Sequence, residues 1–362
     1  MTRNLSHRKS ATLGWDVGGA HLKAVLVDAD GSVLTAIQVP CRLWQGLDQL
    51  RKAIDVVLAN LKLAPDEHVV TMTGELADIF ANRTEGVMQI AGVMTERFGV
   101  ATRFYAGAIG LESRGFVASN QADQYATAIA SANWLASTAF VATKVKQGLL
   151  VDIGSTTADF VVLSDGKLQN RGYSDAERMQ FEELIYTGVV RTPLMALGGR
   201  VPFAGEWQTL AAEHFATTAD VYRLTGDLNK AEDMSDTADG AGKTPEESAR
   251  RLARMIGRDL NDASTAAWIG LAKAFKKLQL NTLNAAAMRT LSRNLIDDKA
   301  PVIGAGSGKF LARKLAEQLN REYLDVETLI MANTDQVRRW ASVCLPAYAV
   351  AYLAASLAKR PA

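Results

Sequence analysis

One arrangement of apolar and polar positions recurs in this chain. From Thr12 to Asp28 the sequence Thr-Leu-Gly-Trp-Asp-Val-Gly-Gly-Ala-His-Leu-Lys-Ala-Val-Leu-Val-Asp reads as a strand, an Asp-x-Gly turn and a second strand, followed by the hairpin signal Asp30-Gly31. From Gly148 to Leu163 the sequence Gly-Leu-Leu-Val-Asp-Ile-Gly-Ser-Thr-Thr-Ala-Asp-Phe-Val-Val-Leu repeats that layout and ends on Ser164-Asp-Gly166. A repeat of this size implies two diverged halves of one plan. Between the copies, apolar residues recur every three to four positions over Leu47 to Leu61, Glu85 to Phe98 and Asp123 to Ala142, which predicts helices. Short strands are predicted around Val69 to Thr73 and Thr102 to Tyr105. After the second copy come a helix-rich segment from Ser174 to Arg293, a strand at Pro301 to Ile303, a helix from Gly308 to Asn320 and a last helix from Thr334 onward. Alternation of this kind argues α/β lobes with mixed sheets. The acidic, Gly-containing stretch Glu232 to Lys243 breaks the pattern and reads as a loop.

At 362 residues the chain exceeds the size at which a single core keeps growing, so two lobes are expected. The boundaries are residues 1–145, with the first turn, and 146–362, with the second turn and a helical insertion; the last helix is a candidate to pack back on the first lobe. A formal net charge of +1 gives no basic field, which argues against a nucleic-acid partner. Cys41 and Cys344 are too few for a disulfide framework and lack metal-ligand spacing, which fits a reducing, cytoplasmic compartment. Met1 to Ser10 has no apolar stretch behind its charges and reads as a disordered lead-in, not a signal peptide. Trp340 to Ala358 carries no charge, but Ala and Ser dominate it and Pro346 interrupts it, so a buried core helix is expected and no membrane partner. A homo-oligomer is compatible with all of this.

The candidate chemistry sits in the turns. Asp16-Val-Gly-Gly-Ala-His21 places a carboxylate at a strand end, then Gly18 and Gly19, whose backbone N–H groups approach an anion closely. Asp152-Ile-Gly-Ser-Thr-Thr157 repeats the design with Gly154 and adds the hydroxyls of Ser155, Thr156 and Thr157. Lys23 and Asp159 stand at equivalent places after the two aspartates: a cation to meet phosphate in one lobe, a carboxylate to hold a metal or take a proton in the other. The third signal is Ala300-Pro-Val-Ile-Gly-Ala-Gly-Ser-Gly308, a strand feeding Gly304, Gly306 and Gly308 into a helix N-terminus, where amides favour anions. It is not a P-loop, because three residues separate Gly304 from Gly308 where Walker A needs four, and Phe310 stands where Ser or Thr would meet magnesium.

In this order the three motifs resemble the two phosphate motifs and the nucleoside-side glycine motif of the acetate kinase, sugar kinase, Hsp70 and actin superfamily. The resemblance implies two RNase H-like α/β lobes with a central phosphate-binding cleft, across which Asp16 and Asp152 face each other as metal ligands. Further segments narrow it: Met72-Thr-Gly-Glu-Leu-Ala-Asp78, Asn82-Arg-Thr-Glu-Gly86, Ser131-Ala-Asn-Trp134, Tyr186-Thr-Gly-Val-Val-Arg-Thr-Pro193 and Asp233-Met-Ser-Asp-Thr-Ala-Asp-Gly240. With these the chain resembles the hydantoinase/oxoprolinase-like branch linked to tetrahydromethanopterin-dependent one-carbon transfer. Members of that branch are similar to the enzyme of methanofuran biosynthesis that joins an aminomethylfuran-methyl diphosphate to γ-glutamyltyramine.

That resemblance implies a magnesium-dependent transferase in which the clasp holds a leaving diphosphate; ATP is not expected. The small-molecule partners are the diphosphate and a phenolic acceptor. Catalytic roles then fall on Asp16, Lys23, Asp152 and Asp159, and His21 becomes a donor to a phosphate oxygen. Asp233, Asp236 and Asp239 are candidate further metal ligands or partners of the aminomethyl cation, against the simpler reading of a solvated acidic loop. Arg191 is a candidate for the acceptor carboxylate or for a structural ion pair, Glu75 for a lining residue. Trp44, Trp134 and Tyr173 are candidate aromatic walls, with core packing the better expectation for each tryptophan. His7, His68 and His214 read as structural. An ATP-dependent small-molecule kinase, an ATP-coupled hydantoin- or oxoproline-opening hydrolase and a non-catalytic nucleotide clamp remain the alternatives.

Overall fold

A computed structural model describes residues 10–107 and 115–358. Residues 1–9 of the expected lead-in, His7 among them, lie outside the described set. The chain divides into one compact unit that reaches Lys144 and resumes at Val326, and a second that spans Val145–Asp325.

The first unit opens with β1 (Ala11–Val17), β2 (His21–Asp28) and β3 (Val33–Pro40), an antiparallel meander. After it come α1 (Leu47–Ala59), β4 (Glu67–Met72), α2 (Arg83–Phe98), β5 (Arg103–Tyr105), β6 (Phe116–Ala118), α3 (Ala126–Ile129) and α4 (Asn133–Ala142). The sheet order is β3-β2-β1-β4-β5-β6, with β4 parallel to both β1 and β5. Alternation along β1 sends Leu13, Trp15 and Val17 into a core shared with Leu50, Ile54 and Val57 of α1 and Val87, Ile90 and Met94 of α2. Trp15 stacks there with His68 and Phe98, and its indole N–H donates to His68 Nδ1 at 3.1 Å.

One helix was expected from Asp123 to Ala142, and two are present. The break falls at Ser131, whose φ of 52° puts it in the left-handed region while its hydroxyl donates to Glu75 Oε1 at 2.8 Å.

The second unit repeats the plan. It contains β7 (Gly148–Ile153), β8 (Ala158–Ser164), β9 (Lys167–Leu168), α5 (Asp175–Gln180), β10 (Leu184–Ile185), β11 (Arg200–Phe203), β12 (Glu206–Thr209), α6 (Thr218–Thr225), α7 (Pro245–Met255), α8 (Thr265–Leu291), β13 (Val302–Ala305), α9 (Lys309–Gln318) and β14 (Tyr323–Asp325). Its sheet order is β10-β8-β7-β13-β14, again antiparallel strands followed by parallel ones, with β9 paired to β8. The segment expected to be helix-rich also holds the β11–β12 hairpin and β10. Capping boxes start α5 at Ser174–Glu177 and α7 at Thr244–Glu247, the latter with Pro at the first turn.

The chain then returns to the first unit with α10 (Asp335–Val343) and α11 (Leu345–Ala358). The sequence alone places residues 146–362 in the second lobe, with the last helix as a candidate to pack back on the first. Residues 326–358 instead belong with the first unit, because α10 lies on β3 and α11 on β1, β2 and α4. Among the described residues no single helix is long and apolar enough to cross a membrane. The uncharged run is split between α10 and α11, which are bent by 103° at Cys344. Pro346 therefore starts a helix and does not interrupt one. At Gly14 of β1 the α11 backbone touches the strand: a Cβ there would press on the Ala347 carbonyl and stand 2.9 Å from Ala351 Cβ.

Candidate active site

Each unit carries one Asp-x-Gly turn, and the two are closed by the same bond. Gly18 N–H donates to the His21 carbonyl at 3.0 Å, and Gly154 N–H donates to the Thr157 carbonyl at 2.8 Å. The antiparallel register sets Asp16 opposite Lys23 and Asp152 opposite Asp159. The repeat read in the sequence thus survives to the level of individual hydrogen bonds.

In the first unit Asp16 is buried and Lys23 Nζ lies 3.4 Å from its Oδ2. Burial raises the Asp16 pKa above the usual carboxylate range, and the Lys23 charge and hydrogen bond oppose that shift. Asp16 Oδ1 is buried without a hydrogen-bond partner. Gly19 has open space where a Cβ would project, whereas Gly18 is held tightly, its hypothetical Cβ 2.9 Å from the His21 carbonyl. The turn is braced from behind: Thr73 N–H donates to the Val17 carbonyl at 2.9 Å and Leu43 N–H to the Gly19 carbonyl at 3.1 Å. Glu75, expected to line the site, is buried in this brace and accepts the Ser131 hydroxyl. His21 is buried at the start of β2.

In the second unit three segments meet at the turn. Gly154 and Ser155 carbonyls accept from Val189, Val190 and Arg191 N–H groups at 3.0, 3.1 and 2.8 Å, which fixes Arg191 beside the Ser155 backbone. Gly188 permits this approach, because any Cβ there would overlap the Ser155–Thr156 peptide. Ser155 and Thr156 hydroxyls lie 3.4 Å apart on the half-buried turn. The glycine turn arrives from β13: Gly308 N–H donates to the Ile153 carbonyl at 2.8 Å, and a Cβ on Gly306 would stand 2.5 Å from Asp152 Oδ1. Gly306 also has φ +75°, a conformation that glycine adopts freely. The three glycines, alike in the sequence, have separate duties. Gly304 makes room for the Tyr323 ring and Gly308 for Ile153 and Val189, while Gly306 alone abuts the Asp152 carboxylate.

Asp159 has a partner that sequence reasoning missed. Arg178, buried on α5, places Nη1 2.9 Å from Asp159 Oδ1 and donates from Nη2 to the Glu183 carbonyl at 2.9 Å. Burial raises the Asp159 pKa, Arg178 works against it, and Asp175 adds to the rise. The signal available in the sequence was the capping box that starts α5 and so carries Arg178 to a fixed place.

The acidic stretch is clamped. Asp233 gives both oxygens to Arg223, at 2.6 and 2.8 Å, while Asp239 pairs with Arg251 at 3.0 Å and the buried Asp220 joins Arg223 to Arg251. The metal role considered for Asp233 and Asp236 therefore meets a different arrangement, with Asp233 ion-paired and Asp236 exposed. Among the described residues no group of three or more His, Cys, Asp and Glu side chains is placed to hold a metal ion. Of the aromatic candidates, Trp134 is in the core, and Trp44 and Tyr173 are exposed.

A sequence profile described as Hydantoinase/oxoprolinase matches residues 48–343, a span that includes the second turn and begins after the first. The chain is 31% identical over 252 residues to the (4-{4-[2-(gamma-L-glutamylamino)ethyl]phenoxymethyl}furan-2-yl)methanamine synthase of Methanocaldococcus jannaschii, covering 69% of this chain and 73% of that protein. It is 31% identical over 138 residues to the synthase of the same name from Methanococcus vannielii, covering 38% of this chain and 62% of that one. Among solved structures, nucleotide-free acetone carboxylase aligns with a TM-score of 0.53 at 10% identity, over 95% of this chain and 70% of that one. At that identity the likeness concerns the fold, which is the two-sheet α/β class of actin, Hsp70 and the sugar kinases.

Proposed function

The chain belongs to the hydantoinase/oxoprolinase family, and from that membership we propose that it is a transferase that forms an aryl alkyl ether, as the relatives' names describe. The donor is an aminomethylfuran-methyl diphosphate and the acceptor is the phenol of a γ-glutamyltyramine-type molecule. The CH₂–O bond to the diphosphate breaks, a CH₂–O bond to the phenol oxygen forms, and the phenol proton leaves to a carboxylate. The observation that carries this reading is the second-unit turn, where the Ser155 and Thr156 hydroxyls follow Asp152 and Gly306 lets the glycine turn abut that carboxylate.

The chain's own residues divide the work. Ser155 and Thr156 donate to diphosphate oxygens, and Arg191, fixed beside Ser155, pairs with the acceptor's carboxylate. Asp159 takes the phenol proton; burial makes it a stronger base than an ordinary aspartate, and Arg178 holds its orientation. Lys23 meets charge that accumulates on the leaving group, so Lys23→Ala lowers kcat more than it raises KM. Asp16 in the first unit and Asp152 in the second are each candidate magnesium ligands. The donor set fits: Asp16 Oδ1 is a buried oxygen with no partner, and magnesium sites use only one or two protein carboxylates, with phosphates and waters completing the shell. When bound, magnesium neutralises charge on the departing diphosphate.

The test is to incubate the protein with magnesium, the furan-methyl diphosphate and γ-glutamyltyramine, and to assay diphosphate and the ether by mass spectrometry, with and without ATP. Ether and diphosphate in equal amounts, without ATP, are expected. ATP-dependent turnover with no ether would return the protein to the kinase class.

A further inference from the structure

Alternation along β1 buries Leu13, Trp15 and Val17 in the core under α1 and α2, which leaves Thr12, Gly14 and Asp16 on the face that α11 covers. On β4 the same rule sends Val70 and Met72 into that core and Thr71 to the face of Asp16. Thr71 is the register partner of Asp16 in the parallel β1–β4 ladder, so the two side chains are immediate neighbours. Asp16 is 4% exposed and Thr71 0%. Asp16 Oδ1 and Thr71 Oγ1 are both buried, have no hydrogen-bond partner and are not bonded to each other. Ser137 Oγ, on the helix α4 that packs on β4, is a third such atom.

Buried polar side-chain atoms are nearly always satisfied, and each exception in a native protein has a reason. Two exceptions on adjoining register partners share one reason most economically: a single guest that donates to both oxygens. Lys23 engages Oδ2 and leaves Oδ1 directed elsewhere. A water molecule has the two hydrogens required, and ordered waters typically serve such sites. We propose that Thr71 is a positioning residue of the first turn, its hydroxyl and Asp16 Oδ1 together holding the hydration shell of the divalent cation. This rests on the magnesium reading of Asp16 given above. It adds to the site a residue that neither its motif nor its spacing marks.

The experiment titrates Mn²⁺ into wild type, Thr71→Val, Thr71→Ser and Asp16→Asn, following the free-ion signal by electron paramagnetic resonance, with metal-free thermal melts alongside. Thr71→Val keeps the shape and removes the hydroxyl. It is expected to weaken Mn²⁺ binding by about tenfold or more, the usual effect of losing an outer-shell partner. Its metal-free melting temperature should stay equal or rise, because an unsatisfied buried hydroxyl has been removed. Thr71→Ser, which restores the hydroxyl, should bind like wild type. Wild-type affinity in Thr71→Val alongside lost binding in Asp16→Asn would overturn the Thr71 role and leave the magnesium reading standing. Equal binding in wild type and Asp16→Asn, or none in either, would overturn that reading and this inference with it. A fall in melting temperature without a change in affinity would make Thr71 merely structural and overturn the proposal.

Discussion

Replacing Gly306 by alanine tests how the glycine turn serves Asp152. Two effects act together at that position. The backbone has φ +75°, where a side chain costs about 1–2 kcal/mol, and the new Cβ would stand 2.5 Å from Asp152 Oδ1 and closer still to the Ile153 carbonyl. Overpacking of this kind costs about 1–3 kcal/mol once neighbours shift. Gly226, at the C-terminus of α6, supplies the control: it has the same φ of +75° and nothing within 4 Å of its hypothetical Cβ. Gly226→Ala therefore reports the backbone effect alone, and the difference between the variants isolates the overlap. At about 2–4 °C per kcal/mol for a domain of this size, Gly306→Ala should melt roughly 2–12 °C below Gly226→Ala. The second readout is ligand protection. Diphosphate with magnesium at a hundredfold its Kd should stabilise wild type and Gly226→Ala by about 2.7 kcal/mol. Gly306→Ala should lose that protection, because the group displaced is the Asp152 carboxylate. Melting temperatures that coincide for the two variants, or full protection in Gly306→Ala, would refute the assignment of Gly306 to Asp152.

Arg178→Leu should destabilise by about 3–5 kcal/mol in urea melts, because it leaves Asp159 without its buried counter-ion; the double variant with Asp159→Leu should regain much of that loss, and failure to do so would mean the pair is not coupled. Burial lowers the His68 pKa from 6.5 to about 4, so the folded state binds fewer protons than the unfolded chain and stability falls as pH drops from 6.5 toward 4. His68→Gln, which keeps an acceptor for Trp15, should flatten this part of the melting-temperature profile, and an unchanged slope would assign the acid sensitivity to other groups. Asp233→Ala should release the stretch around residues 232–243 from Arg223 and speed tryptic cleavage at Lys243; an unchanged cleavage rate would show that the clamp does not order this segment.

The parts of the site legible in the sequence are those whose chemistry is local. Asp16-Val-Gly and Asp152-Ile-Gly announced themselves because strand, turn and strand occupy one continuous stretch, and the closing bonds at Gly18 and Gly154 follow from that geometry. The α/β class followed from the alternation of strands and helices around that repeat, and the RNase H-like lobes from the resemblance of the three motifs. What remained hidden depends on partners far away along the chain. Spacing could not divide Gly304, Gly306 and Gly308 between packing and site, because the division is made by Tyr323, Ile153, Val189 and Asp152. Arg178 meets Asp159 only once α5 has packed on β10, the neighbour of β8, and Asp233 looked like a metal ligand because Arg223 and Lys243 were unplaced. Thr71 read as an ordinary strand residue, since its distinction is a register with β1 that no local pattern encodes. The return of residues from Val326 onward to the first unit was also beyond local reading, being settled by small side chains on α11 that let it lie against Gly14.

The contact between Gly14 and α11 bears on the order in which the protein is made. The sheet that carries Asp16 begins at Ala11, yet the helix that seals one of its faces, Leu345–Ala358, comes off the ribosome more than three hundred residues later. The second unit, Val145–Asp325, is contiguous and can reach its native state while translation continues, since domains generally fold as units during synthesis. The first unit must wait, its Gly14 face open to the solvent and to chaperones until the last helix is released. Shortening the chain before Leu345 would therefore damage the earlier-made unit and leave the later-made one intact.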